Sequence, residues 1–163
     1  MLRIQDRTRR TSKTPPSAPW CDAQMAEDTD ETKIAVVVRD DLATWQKLNV
    51  TAFAVSGLGT WAPDLIGQPY EDGSGVKYHA MFALPVVVLA GDAAAVRRGF
   101  DRAQGRGLVL SVYTDDLFAT GNDVDNRAAV AAVATTDLPL AGFAVAGNRR
   151  TVDKALDKLR LHP

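Results

Sequence analysis

The sequence predicts an α/β fold, a three-layer sandwich whose central mixed sheet of about four strands is flanked by helices. Three observations carry that reading. Short runs of β-branched and apolar residues recur along the chain, at Ile34–Val38, Pro85–Ala90, Leu108–Tyr113 and Leu138–Ala146. The stretches between them repeat their apolar residues at helical spacing. Glycine, aspartate or asparagine punctuates most of the junctions, as turns and caps require.

The first strand is expected over Lys33–Arg39, apolar at nearly every position, as a strand buried on both faces should be. A charged turn, Arg39-Asp40-Asp41, leads from it into a helix over Ala43–Leu58. Trp45, Leu48, Ala52 and Val55 mark that helix's expected buried side, and Gly57 and Gly59 its end. The irregular run WAPDLIGQPYEDGSGVKYHAMF follows, and its Asp72-Gly73-Ser74-Gly75 centre predicts a hairpin. The second strand is Pro85–Ala90. Asp92 then caps a helix over Ala93–Arg106, with Val96, Phe100 and Ala103 facing inward and Gly107 as its stop. The third strand covers Leu108–Tyr113, a loop or short turn Thr114–Gly121, and a small helix Asn126–Val133. The fourth strand is Leu138–Ala146. A last helix, Arg149–Leu161, carries an inward stripe of Val152, Leu156 and Leu159.

Met1–Thr32 reads as a disordered tail, basic and then acidic, with too little apolar surface to offset chain entropy. Met25 is a candidate start. Lys33–Pro163 is expected to form one domain. Of the 19 basic and 20 acidic residues, five and six precede Lys33, so the domain is formally neutral. That argues against the broad electrostatic attraction on which nucleic-acid affinity rests, and confines any RNA role to a local patch. The longest apolar runs are too short to cross a bilayer, and no signal segment opens the chain. One cysteine, Cys21, excludes an internal disulfide and a cysteine metal cage, and with only His79 and His162 a histidine zinc site is not expected. The expected location is cytoplasmic.

Chemistry is expected where the strands end, because open α/β folds place ligands at that edge. Lys47 and Thr51, four apart, share a helix face, with Thr44 one turn earlier. A lysine there can steady a developing oxyanion, although on periodicity alone it reads as solvated. Asp116 and Thr120, also four apart, follow the third strand, where a carboxylate can orient a water and a hydroxyl can hold it. Thr114 and Asp115 are alternatives beside them, and Asp41 lies at the end of the first strand. Arg97, Arg98, Arg102 and Arg106 gather on one helix, more simply a solvated face than a phosphate site. Arg149 and Arg150 open the last helix. A GxSxG elbow, a Walker lysine and a G-x-G-x-x-G loop are all missing.

The segments KIAVVVRDDL with its helical lysine, LPVVVLAGD and LAGFAVAGNRRTVDKALDKLRL resemble type II peptidyl-tRNA hydrolases, across Lys33–Leu161. More closely, RDDLATWQKLNVTAF, IGQPYEDGSG, VYTDDLFATG and NRAAVAAV resemble an uncharacterised bacterial family, domain of unknown function two thousand. The hydrolase resemblance implies hydrolysis of the ester that joins a peptide to the terminal ribose of tRNA. Lys47 would stabilise the oxyanion, Asp116 would handle water and Thr120 would position it; Asp41, Thr44, Thr51 and Thr114, read from their places at the same edge, are the expected substrate-binding residues. No metal or organic cofactor is implied. The chain departs from the hydrolase pattern at Gln46, which replaces a glycine, in the inserted hairpin and in the longer loop Gly121–Val133. Two functions therefore stand open. One is an ester or amide hydrolase acting on an aminoacyl or peptidyl conjugate, with tRNA as a candidate partner. The other is a non-catalytic module that binds a small molecule or protein in the same cleft, its hairpin a lid or a homodimer contact.

Overall fold

Five consecutive residues, Ile34–Val38, are wholly removed from solvent, and the sheet is organised around them. The structure is a computed structural model that describes residues 32–163. The expected tail, with Cys21 and Met25, lies outside the described residues, except that Thr32 pairs with Asn148 and opens the first strand. That strand, β1 (Thr32–Arg39), pairs in parallel with β4 (Val86–Gly91) and antiparallel with β6 (Leu140–Asn148). Beyond β6 lies β5 (Val109–Thr114), and beyond β4 lies β7 (Arg160–Leu161), giving the order β5-β6-β1-β4-β7. The sheet is mixed, as expected, with five strands rather than four.

The fifth strand comes from a segment expected to be helical. Asn148 caps α4 (Arg149–Ala155) by accepting from the Arg150 and Thr151 amides, but the helix stops at Ala155 and does not reach Leu161, its expected end. Beyond the helix, Lys158 takes a φ of 75°, a left-handed turn that redirects the chain. The chain then runs back along β4, pairing Arg160 with Ala90 and Leu161 with Leu89. Val152 and Leu156 are nonetheless buried, with Leu159 packed beside them, so the apolar spacing identified the inward residues but not the element.

Alternating side chains of β1 feed two cores. Ile34, Val36 and Val38 pack beneath α1 (Thr44–Trp61), with Val50, Ala54 and Leu58 of that helix. Ala35 and Val37 face α2 (Ala93–Gln104) and α4, with Val96, Phe100, Ala103, Phe143 and Val152. The inward face of α1 therefore differs from the expected one. Trp45 and Leu48 are exposed and Val55 is only partly buried, because the small-residue ladder Val50/Ala54/Leu58 fits the sheet more closely than the bulkier stripe. Gly142 permits that approach: a Cβ there would collide with the Val37 carbonyl oxygen and lie 2.7 Å from Val50 Cγ1.

The predicted hairpin is present as β2 (Tyr70–Glu71) and β3 (Lys77–Tyr78), with every residue from Gln68 to His79 exposed. Asp92 caps α2 as expected, accepting from the Ala95 amide at 2.7 Å. The small helix, α3 (Asp123–Ala131), starts earlier than expected because Asn122 caps it at the Asp125 amide. Among the described residues, no helix is long and apolar enough to cross a membrane.

Candidate functional site

The C-terminal ends of β1 and β5 lie on either side of the start of β6, and a single arginine spans them. Arg39 Nε donates to Asp41 Oδ1 at 2.6 Å, and its Nη1 donates to Asp115 Oδ2 at 2.7 Å and to the Leu140 carbonyl at 3.2 Å. Asp115 is fixed in turn by its own amide, which donates to the Pro139 carbonyl at 2.8 Å. The Asp115 hydrogen bond is the main force holding the Arg39 guanidinium above the usual arginine range; partial burial opposes it, and Asp41 adds to it. Only 17% of the arginine side chain is exposed. Arg39 is a clamp that closes the mouth of the sheet. The Arg39-Asp40-Asp41 turn was legible as charge at the strand end, but the pairing with Asp115 was not, since 76 residues separate the partners.

The expected site residues distribute around this clamp. Lys47 follows in the first turns of α1, one turn before buried Val50 and on the same helix face, hence on the sheet side of the helix. Its ammonium makes no hydrogen bond or ion pair among the described residues, and neither do the carboxylates of Asp40 and Asp116. Asp116 is exposed in a 3-10 turn, Asp115–Phe118, that follows β5. Thr120 is engaged elsewhere. Its hydroxyl proton is shared between the Leu117 carbonyl, 3.0 Å away, and Asn126 Oδ1 of α3. Thr51 donates to the Lys47 carbonyl at 2.8 Å within α1, and Thr44 is exposed at that helix's first residue. Thr114 is fully buried next to a register shift in the β5–β6 pairing, and its hydroxyl has no hydrogen-bond partner. No hydrogen bond joins Lys47, Asp116 and Thr120 to one another.

Gln46, which departs from the hydrolase pattern, has a local task. Its side-chain oxygen accepts from the Ala43 amide at 3.0 Å and so caps a helix whose N-cap residue has no polar side chain. The outer wall of the mouth is aromatic. Trp45 meets Phe118 edge-on at 5.6 Å, Phe118 lies 5.0 Å from Tyr113, and Tyr113 donates to Asn49 Oδ1 at 2.7 Å. The arginines of α2 are partly committed to structure. Arg97 donates to the Thr135 and Leu138 carbonyls and lies over the Phe100 ring, which fastens α2 to the start of β6.

A family model described as "Protein of unknown function (DUF2000)" matches residues 32–163, the whole of the described fold. The chain belongs to this DUF2000 family. A solved structure from Agrobacterium tumefaciens str. C58, described as protein of unknown function Atu0240, is similar to it. The two chains are 41% identical with a TM-score of 0.79, and the match covers 82% of this chain and 98% of that one. No curated protein matches. DUF2000 membership and the mixed α/β sheet thus stand together, and the chemistry has to be argued from the mouth of the sheet.

Proposed function

We propose that this DUF2000 protein binds a small amine-bearing molecule of the aminoacyl-conjugate class at the C-terminal edge of its sheet. The observation that carries this reading is the neutralisation of Arg39 by Asp41 and Asp115. With that cation spent, what the mouth offers a ligand is the free carboxylates of Asp40 and Asp116 and the single ammonium of Lys47. A polyanion such as tRNA is repelled by such a surface, whereas an α-ammonium is attracted and a carbonyl can accept from Lys47.

Hydrolysis of an ester or amide of such a conjugate is the second reading, favoured by Lys47 and Asp116 both being unengaged. It also draws on the resemblance to type II peptidyl-tRNA hydrolases. Lys47 would polarise the carbonyl and Asp116 would take a proton from water. Thr120 would act on substrate only after releasing Asn126.

Both readings are tested together. Calorimetry with an amino-acid methyl ester, its N-acetylated form and tRNA should show binding of the free amine alone, weakened about tenfold or more by Asp116→Asn. Equal binding of the acetylated ester, or tight binding of tRNA, would overturn the first reading. Peptide release from peptidyl-tRNA, lost in both Lys47→Ala and Asp116→Ala, would establish the second; a folded wild type with no turnover would remove it.

A further inference from the structure

The two ends of the sheet are finished differently. At one end β7 is two residues long, a short edge of the kind that discourages pairing. At the other, β5 presents six residues, VLSVYT, with no proline and no charge. Among the described residues it has a strand on one side only. An unguarded edge of that length is a template for another strand.

The helix above this edge matches it. Phe53 meets Tyr113, Gly57 meets Ser111, and Thr60 and Trp61 border a cavity of about 590 Å³ with Leu108–Ser111, so α1 runs antiparallel to β5 along its length. From Leu48 to Trp61 the helix carries no charged residue. Its large side chains remain exposed at both ends of the strip: Trp45 at 61% and Phe53 at 56%, and Trp61 at 58% beyond the cavity. Small residues, Ser56, Gly57 and Thr60, lie between them.

We propose that the β5 edge and the overhanging flank of α1 form a two-fold interface with a second copy of this chain, in which β5 pairs antiparallel with its copy. A two-fold axis through the Ser111–Val112 region turns each α1 end for end beside the other. Trp61 of one copy then faces the Trp45–Phe53 flank of the second, and the small-residue cavity receives the opposing helix. Helix α1 lies over β6 with β5 and β1 on either side, so with strands about 4.8 Å apart the two helix axes fall about 14 Å apart, and the exposed Trp45, Phe53 and Trp61 side chains fill the gap between them. Charge is suitable, because a neutral strip sets no like charges opposite each other across the axis, whereas a charged partner would lose solvation without compensation. The three rings alone offer roughly 300–400 Å² per copy. The strand edge and the cavity wall add to this area, against the roughly 800 Å² per partner that a standard interface takes.

The test is the mass of the full chain by analytical ultracentrifugation from about 1 to about 100 μM, with amide exchange across the same range. The expected result is a dimer whose formation slows exchange of alternate β5 amides about tenfold or more. Phe53→Arg and Thr60→Arg, both at exposed positions, should give monomers with unchanged circular dichroism. A monomer throughout the range overturns the proposal. So does a dimer whose β5 exchange is independent of concentration, or one that persists in both folded variants.

Discussion

Asp72 shows how much one exposed side chain can organise. Its Oδ1 accepts from the Ser74 and Val76 amides at 2.9 and 3.0 Å, and its Oδ2 accepts from the Tyr78 hydroxyl at 2.9 Å. These bonds, led by the one from Val76, hold the carboxyl below the usual aspartate range. A depressed folded value stabilises the hairpin above the ordinary aspartate pKa, and that support is lost as pH falls through the lowered value. Acidification should therefore lower the protection of the Ser74 and Val76 amides, measured against the unstructured rate at the same pH, while β1 and β6 stay protected; Asp72→Ala should lower it at neutral pH. Proton NMR exchange rates read both. At this scale the sequence was informative where partners are close in the chain, as in Asp72-Gly73-Ser74-Gly75 and the Asp92 cap. It was silent on Arg39–Asp115, Tyr113–Asn49 and Thr120–Asn126 as pairs, because residue identity does not reveal a partner chosen by tertiary geometry.

Among the elements, β6 governs the others, since it separates β5 from β1 and lies under α1. Gly142 is where that burial is tightest, and Gly142→Ala drives a methyl group into the Val37 carbonyl and Val50. Backbone cannot yield as a side-chain tip does, so the expected cost is about 1–3 kcal/mol or more, read as a lowered midpoint in urea. Helix α1 and the C-terminal segment show where periodicity misleads. Trp45 and Leu48 had the hydrophobicity of core residues, yet the sheet selected the smaller Val50/Ala54/Leu58 face. Leu159 kept its inward position while its helix had already ended at Ala155. Apolar spacing reports which residues are buried more faithfully than it reports what shape carries them.

Across the whole molecule the two cores share one sheet, so neither face can loosen alone. Phe143 is fully buried on the α2 side, 5.7 Å edge-on from Phe100, while its neighbours Gly142 and Ala144 lie against the α1 side. Phe143→Ala should cost about 3–5 kcal/mol, and tryptophan fluorescence and far-ultraviolet dichroism should report one coincident transition. The alternation of strands and helices was enough to read the fold class from the sequence. The strand order was not legible, since nothing local states that β6 lies between β5 and β1.

That order has a consequence for the chain during its synthesis. The parallel partner of β1 emerges early, but its other neighbour is β6, and Ile34 pairs with Ala146. At about 5–20 residues per second, the most apolar strand waits on the order of ten seconds on the ribosome with one side open. Through that interval the nascent chain exposes its best aggregation template, and chaperones or fast burial under α1 must cover it until the last strands arrive.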